Sequence, residues 1–437
     1  MTENRTRIAY LTAGGAGMYC GSCLRDNSLA QALIEAGVDI QLIPMYTPIR
    51  TDVQDVSINQ VFFNGIRIYL QEKYAWFDRV PAVLDRILDQ PWVLRLATRG
   101  GVSTDAEALG ALTLSVLQGE SGRHRGEVQK LVAWLAESAR PQLVNLSNML
   151  IAGCVPAIKQ ALNVPILITL QGDDVFLNAL PKQYQESVRN ELRKLARHVD
   201  GFLVFSRYYA DMMSEYLGVN LERFHIVQLG IDARDFAEHP PEPNERTDRP
   251  PTIGYLARLC PEKGLDVLVD SFIHLKQLDG MEETRLKVAG WLGRSDRAFA
   301  DGQFAKLRAA GLGHDFEYVG VVDRDEKIRF LRSLDLLSVP TTYREPKGIY
   351  VLEALAAGVP VVQPDHGAFP ELLAATGGGK LVRPNDPIQL AETLAELLSD
   401  DETRQRLSLE GYETVHDCLD AESMANSTLA VYRNFLR

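Results

Sequence analysis

The stretch PTTYREPKGIYVLEALAAGVPVVQPDHG, residues 340–367, decides the fold because it holds two carboxylates, a helix start and a strand in one run. Glu345 lies in a polar turn, Pro346 suits an early helix position, and Gly348 to Ala357 is built mostly of helix-tolerant residues. The spacing therefore predicts Glu353 on the helix and Glu345 before it. A helix start presents unpaired backbone N–H groups that favour an anion, and the two acidic side chains offer acceptors to a ligand with several hydroxyls. By itself the spacing fits a solvated Glu pair beside a buried helix better than a ligand grip, so the surrounding chain has to decide.

Around this stretch, short apolar runs alternate with helical patterns. RIAYLT (7–12), a glycine loop, a helix from about Ser22 to Ala36 and VDIQLIPM (38–45) read as a β-α-β opening. QLVNL (142–146), VPILITL (164–170) and GFLVFS (201–206) follow, each trailed by a helical pattern, which predicts a parallel sheet covered on both faces. Residues 52–140 interrupt the rhythm with VFFNGIRIYL (61–70), read as strand-turn-strand, and helical stretches that include VPAVLDRILDQPWVLRLA (80–97) and EVQKLVAWLAESA (127–139). Such an insertion suits a lid or an acceptor wall, and plain helical packing explains it as well.

DFAEHPPEPNERTDRPP (235–251), rich in proline and charge, reads as a linker. Alternation then restarts with PTIGYLAR, LDVLVDSFIHLKQL, RLKVAGW, FEYVGVV, IRFLRSL, LLSVP and VPVVQP. The expected organisation is a first α/β domain over 1–235, a linker over 236–250, a second α/β domain over 251–420, and a helix over 421–437 that crosses back to brace the first domain. Two doubly wound sheets of this kind bind ligands at the carboxyl ends of their strands, in a cleft between the domains.

With 437 residues, 46% hydrophobic and 24% charged, the chain is globular, and at about 150 residues per domain it holds two or three domains. Its formal net charge of −12 argues against general affinity for nucleic acid or anionic membrane. No apolar run is long enough to span a bilayer and MTENRTRIAYLTAGG lacks a signal-peptide core, so a cytoplasmic location is expected. The five cysteines are scattered and odd in number, which disfavours a disulfide framework. Cys20 and Cys23 form a C-x-x-C pair, but with no second pair and no histidine cluster the expectation is a packing or loop role and no metal.

Four segments in order resemble the retaining glycosyltransferases of the GT-B architecture, family-4 group. GYLARLCPEKGLDVLVDSF (254–272) is similar to that family's Gly-x-x-x-Arg and Glu-Lys-Gly opening of the second domain, and EPKGIYVLEALAAGVPVV (345–362) to its Glu-x7-Glu block. LGIDARDF (229–236) resembles the strand end before the linker, and HGAFPELL (366–373) the glycine-to-glutamate turn that follows. The resemblance implies two Rossmann-like domains, a nucleoside-diphosphate sugar as donor, and no cofactor or metal. It implies that Arg258 and Lys263 face the leaving diphosphate, Glu345 the transferred hexose, Glu353 the ribose hydroxyls, the backbone of Lys347, Gly348, Ile349 and Tyr350 the sugar and phosphates, and Val321 the base. Chemistry supports those residue types independently, because a departing diphosphate builds negative charge that fixed cations and amide dipoles stabilise. Gly15 and Gly17, in the loop after the first strand, resemble the glycine loop that approaches the phosphates from the other side.

Where many relatives place histidines, this chain reads NLSN (145–148) and TLQGDD (169–174). Asn148, Gln171 and Asp173 are therefore the expected acceptor-side residues. In the front-face mechanism usually proposed for such retaining enzymes the departing phosphate deprotonates the acceptor, so no protein base is required. Lys347 stands where relatives often have Phe or Cys and adds a cation. The expected partners are the donor and an acceptor hydroxyl, with oligomeric state left open. The rival readings are a nucleotide-sugar epimerase of the same fold and a non-catalytic nucleotide-sugar sensor; a dehydrogenase is disfavoured because Cys20 replaces the third glycine of G-x-G-x-x-G.

Overall fold

A computed structural model describes residues 6–14, 21–63, 106–236 and 249–436. Gly15, Gly17, Cys20, all of VPAVLDRILDQPWVLRLA and most of VFFNGIRIYL lie outside the described residues, as does most of the linker. The chain packs as two units, Met1–Gln228 with Met424–Arg437, and Leu229–Ser423.

The first unit is built on a six-stranded parallel sheet of β1 (Arg7–Thr12), β2 (Asp39–Pro44), β3 (Leu143–Leu146), β4 (Ile166–Thr169), β5 (Gly201–Val204) and β6 (Phe224–Ile226), in the order β2-β1-β3-β4-β5-β6. The residues of β3, β4 and β5 are buried throughout, as expected when helices cover both faces of a sheet. Helices Gly21–Glu35, Val155–Leu162 and Arg207–Leu217 lie between its strands in the chain. From residue 106 on, the insertion is helical, at Ala106–Leu117 and Arg125–Trp134, while its described residues 52–63 form no helix.

Helix Ala421–Phe435 contributes to this unit as well. Tyr432 is fully buried, and Phe435 meets the His225 ring edge-on at 5.4 Å. A Cβ on Gly201 would lie 2.8 Å from the Phe435 ring, so the absence of a side chain on β5 makes room for that aromatic.

The second unit repeats the plan with β7 (Thr252–Leu256), β8 (Arg285–Ala289), β9 (Phe316–Gly320), β10 (Leu336–Leu337), β11 (Val361–Pro364) and β12 (Gly379–Val382), in the order β12-β11-β10-β7-β8-β9. In both sheets the strand order reverses once, between β1 and β3 and between β7 and β10. Loops leaving the carboxyl ends of those neighbours diverge, and the crevice they leave is where open α/β sheets take ligands.

Three features differ from the sequence reading. The edge strands β6 and β12 are absent from it, because FHI and GKLV are short and carry no apolar run. Pro346 precedes the helix rather than entering it: the helix is Ile349–Ala356, and Gly348 at its N-cap takes φ 80°, a left-handed turn. The segment Leu229–Phe236, read as the end of the first domain, is held in the second unit. There Arg324 donates to Asp235 at 2.8 Å and to the Asp232 carbonyl at 2.9 Å, and Arg332 donates to the Phe236 carbonyl. Among the described residues no helix is long and apolar enough to cross a membrane.

Candidate functional site

At the second sheet's switch point the loop after β7 carries Arg258 and Lys263, and the loop after β10 carries Tyr343 and Glu345. A short 3-10 turn, Pro261–Lys263, ends at Gly264 with φ 69°, and a Cβ there would sit 1.8 Å from the Pro340 carbonyl oxygen. Only glycine permits so close a crossing. The amide of Thr342 also donates to the Glu262 carbonyl at 3.0 Å. These contacts tie the two loops together and point Lys263 at Glu345.

Lys263 Nζ donates to Glu345 Oε2 at 2.6 Å and lies 2.7 Å from the Tyr343 hydroxyl, which itself donates to the same carboxylate oxygen at 2.5 Å. Tyr350 Oη lies 3.5 Å from that oxygen. The lysine ammonium also sits 5.1 and 5.2 Å from the Tyr343 and Tyr350 ring centroids, within reach of their π faces. Glu345 is 4% exposed. Burial alone would raise its carboxyl, but the charge and hydrogen bond of Lys263, the Tyr343 hydroxyl and the charge of Lys347 together hold it below its ordinary value. Burial, followed by the Glu345 charge, pushes both tyrosine hydroxyls well above the usual range, so they remain donors.

Gly367, with φ 64°, lets the following loop close over Glu345, whose carbonyl accepts from the Ala368 amide at 2.8 Å. His366 Nε2 lies 3.0 Å from the Thr341 carbonyl, and burial lowers its pKa, so the ring acts as a neutral strut. Arg258 is exposed, and its carbonyl accepts from the buried Tyr255 hydroxyl at 2.9 Å. Lys347 is buried and Val321 is 49% exposed beyond β9. Glu353, on the helix Ile349–Ala356, is paired with Lys327 at 2.5 Å.

The structure thus brings Lys263, Glu345, Lys347 and Tyr350 into one cluster and puts Glu353 one helical stretch further on. Sequence reasoning missed Tyr343, His366 and Lys327. Tyr343 lies only two residues before Glu345, a usable signal; Lys327 lies 26 positions from Glu353 and gives none.

In the first unit the residues expected on the acceptor side, Asn148, Gln171 and Asp173, meet near the ends of β1, β3 and β4. Asp173 Oδ2 accepts from the Met149 amide at 2.6 Å and Oδ1 from the Gln171 amide at 3.2 Å, so this carboxylate fastens the turns after β3 and β4 to each other. Gln171 Nε2 donates to Asp26 Oδ1 at 2.8 Å and to the Ser147 carbonyl at 3.2 Å. Asp26 is a buried hub that also accepts from Tyr10, Thr12 and Arg25, at 2.8, 3.0 and 3.2 Å. Asn148 Nδ2 donates to Ser147 Oγ at 3.2 Å, while its buried Oδ1 has no partner among the described residues. Nothing in the sequence reading singled out Asp26, because an Arg-Asp pair on a helix gives no spacing signal of its own.

Comparison with known proteins agrees with this architecture. The family profile described as Glycosyl transferases group 1 matches residues 237–414, and that described as Glycosyltransferase Family 4 matches 96–235. A D-inositol 3-phosphate glycosyltransferase of Corynebacterium efficiens is 30% identical over 213 residues, 47% of this chain and 49% of that protein. A glycogen synthase of Mycobacterium tuberculosis is 25% identical over 297 residues, 68% of this chain and 69% of that one. The chain thus spans about half the length of the inositol phosphate relatives it matches. Among solved structures, sucrose-phosphate synthase from Thermosynechococcus elongatus superposes with a TM-score of 0.71 at 18% identity, covering 98% of this chain and 99% of that one. Anabaena Alr3699/HepE in complex with UDP and glucose gives 0.70 at 15% identity, covering 98% and 100%.

Proposed function

Because this chain belongs to the family-4 glycosyltransferases of the GT-B fold, we propose that it moves a hexose from a UDP-, GDP- or ADP-sugar to an acceptor hydroxyl, with retention at the anomeric carbon. The observation that carries this reading is the Lys263–Glu345 pair, half-buried ahead of the helix Ile349–Ala356. An ammonium has three donors, and here two are used, on Glu345 and Tyr343, which leaves one for a phosphate oxygen. Arg258, exposed beside it, supplies the second cation for the leaving diphosphate.

Glu345 takes a hydroxyl of the hexose, Glu353 the ribose diol, Val321 the base, and the backbone from Lys347 to Tyr350 the sugar and phosphates. Gly15 and Gly17, outside the described residues, are further candidates for the donor phosphates. On the acceptor side Gln171 and Asp173 act as struts, and Asn148, with a spare carbonyl, is the residue that meets the incoming hydroxyl. Retention is favoured by what the described residues put at the ends of β3 and β4: neutral side chains and an amide-bound carboxylate, none of them placed as a strong base, suit a step in which the departing phosphate takes the acceptor proton.

Mass spectrometry of nucleotide retained on the purified protein identifies the base. A panel of donor sugars, with the product's anomeric configuration read by NMR, then tests transfer and stereochemistry. An inverted product overturns retention; absence of both transfer and hydrolysis with every donor, despite donor binding, favours the sensor over the enzyme.

A further inference from the structure

Lys327 does not belong to any of the segments that resemble the family, yet the structure builds more around it than around most surface lysines. It sits in the helix Arg324–Arg332, which begins with a capping box: Asp323 accepts from the Glu326 amide at 2.9 Å while the Glu326 carboxylate accepts from the Asp323 amide at 3.0 Å. The first turn of the helix is therefore fixed, and Lys327 sits on it with a side chain 9% exposed.

Beneath it lies Phe236, 1% exposed, whose ring centroid is 6.0 Å from Lys327 Nζ and 5.3 Å from the Arg324 guanidinium. Phe236 is itself pinned by Arg332 through its carbonyl. A long aliphatic stem packed on a fixed ring loses little further freedom when its head group binds. That head group meets Glu353 Oε1 at 2.5 Å, and Glu353 is 12% exposed.

From this geometry we infer that Lys327 is a positioning residue for the donor: it orients the Glu353 carboxylate so that its remaining acceptor sites face a ribose diol. The inference rests on the ribose role proposed above for Glu353. A carboxylate has about four lone-pair directions, so a cation fixed on one oxygen leaves enough to accept two hydroxyls. A carboxylate buried without its cation would turn to find another partner, and the paired hydroxyl contacts would lose their alignment. The bland alternative is an ion pair that only joins two helices.

The two are separated by how well the protein distinguishes a ribose from a 2′-deoxyribose ligand. Calorimetry would measure the affinities of the cognate nucleoside diphosphate and its 2′-deoxy counterpart for the parent, Glu353→Gln, Lys327→Met, Lys327→Arg and the double variant Lys327→Met/Glu353→Gln. The double variant has no stranded charge, which keeps the comparison interpretable if Lys327→Met alone unfolds. The expected result is about a tenfold preference for ribose in the parent. That preference should vanish in Glu353→Gln, fall in Lys327→Met, return in part in Lys327→Arg, and fall no further in the double variant than in Glu353→Gln. Preference lost in Glu353→Gln but kept in a folded Lys327→Met overturns the positioning role alone. Should Lys327→Met unfold, a double variant that binds the ribose nucleoside diphosphate markedly more weakly than Glu353→Gln does also overturns it, because Lys327 would then act other than through Glu353. Preference kept in Glu353→Gln overturns the ribose assignment, and the positioning role with it.

Discussion

Around the second sheet's switch point Glu345 and Glu353 each face a lysine, whereas at the first sheet's switch point Asp173 accepts from backbone N–H groups and Asp26, besides its buried ion pair with Arg25, from two hydroxyls and a side-chain amide. The difference is one of purpose. A carboxylate matched to an ammonium leaves a locally neutral site that still has N–H donors to offer an anion. A carboxylate whose oxygens are all taken up by buried donors is a bracket: it fixes its surroundings and offers little to a ligand. On this comparison the second unit keeps N–H donors available to an anion, and the first spends its carboxylates on fixing its own loops.

The largest expected effect comes from breaking the charged side. Lys263→Met removes the diphosphate's cation and strands Glu345, so turnover should fall by about 3 to 4 kcal/mol in transition-state terms, more than a hundredfold. Steady-state kinetics on the cognate donor, beside a melting curve showing retained fold, checks it; turnover within threefold of the parent would end the phosphate role. Breaking the bracket in the first unit should act differently. Asp26→Asn leaves Arg25 buried without its counter-charge and should cost about 2 to 3 kcal/mol of stability. Donor affinity should scarcely move, a split visible by denaturant titration against calorimetry.

A smaller effect sharpens the account of Glu345. Tyr343→Phe removes one hydroxyl donor from its carboxylate and should cost about 1 kcal/mol in turnover or stability. The smallest is the response to pH. Because Glu345 is held below its reference value of 4.5, the stability it contributes is fully present above that value and is lost only as pH falls through the lower, folded one. Melting curves between pH 7 and 5 should therefore show no loss traceable to this pair, tested by comparing the parent with Glu345→Gln; a loss specific to the parent in that window would contradict the pairing.

Much of this was legible because both sheets bury their strands on two faces, so RIAYLT, QLVNL, VPILITL and PTIGYLAR stand out as apolar runs. The edge strands Phe224–Ile226 and Gly379–Val382 have only one neighbour and need no such run, and they stayed invisible. The placement of Glu345 before the helix and Glu353 on it followed from local propensity. The partners of those residues did not, since Lys327 reaches Glu353 through tertiary packing that no spacing rule encodes. The start of the helix was misread for a different reason: proline's preference for a first turn was outweighed by Gly348, whose left-handed conformation sets the boundary two residues later.

The burial of Tyr432 and the packing of Phe435 against His225 also bear on how the protein is made. The second unit, Leu229–Ser423, is one uninterrupted stretch, while the first needs Met424–Arg437 to complete it. During synthesis from the N-terminus, the half that emerges first must wait with an uncovered patch beside β5 until the other half has left the ribosome and folded. A ribosome-stalled chain ending at Ser423 should therefore show a protease-resistant second unit and a still labile first one, and a peptide spanning 424–437 added in trans should close the gap.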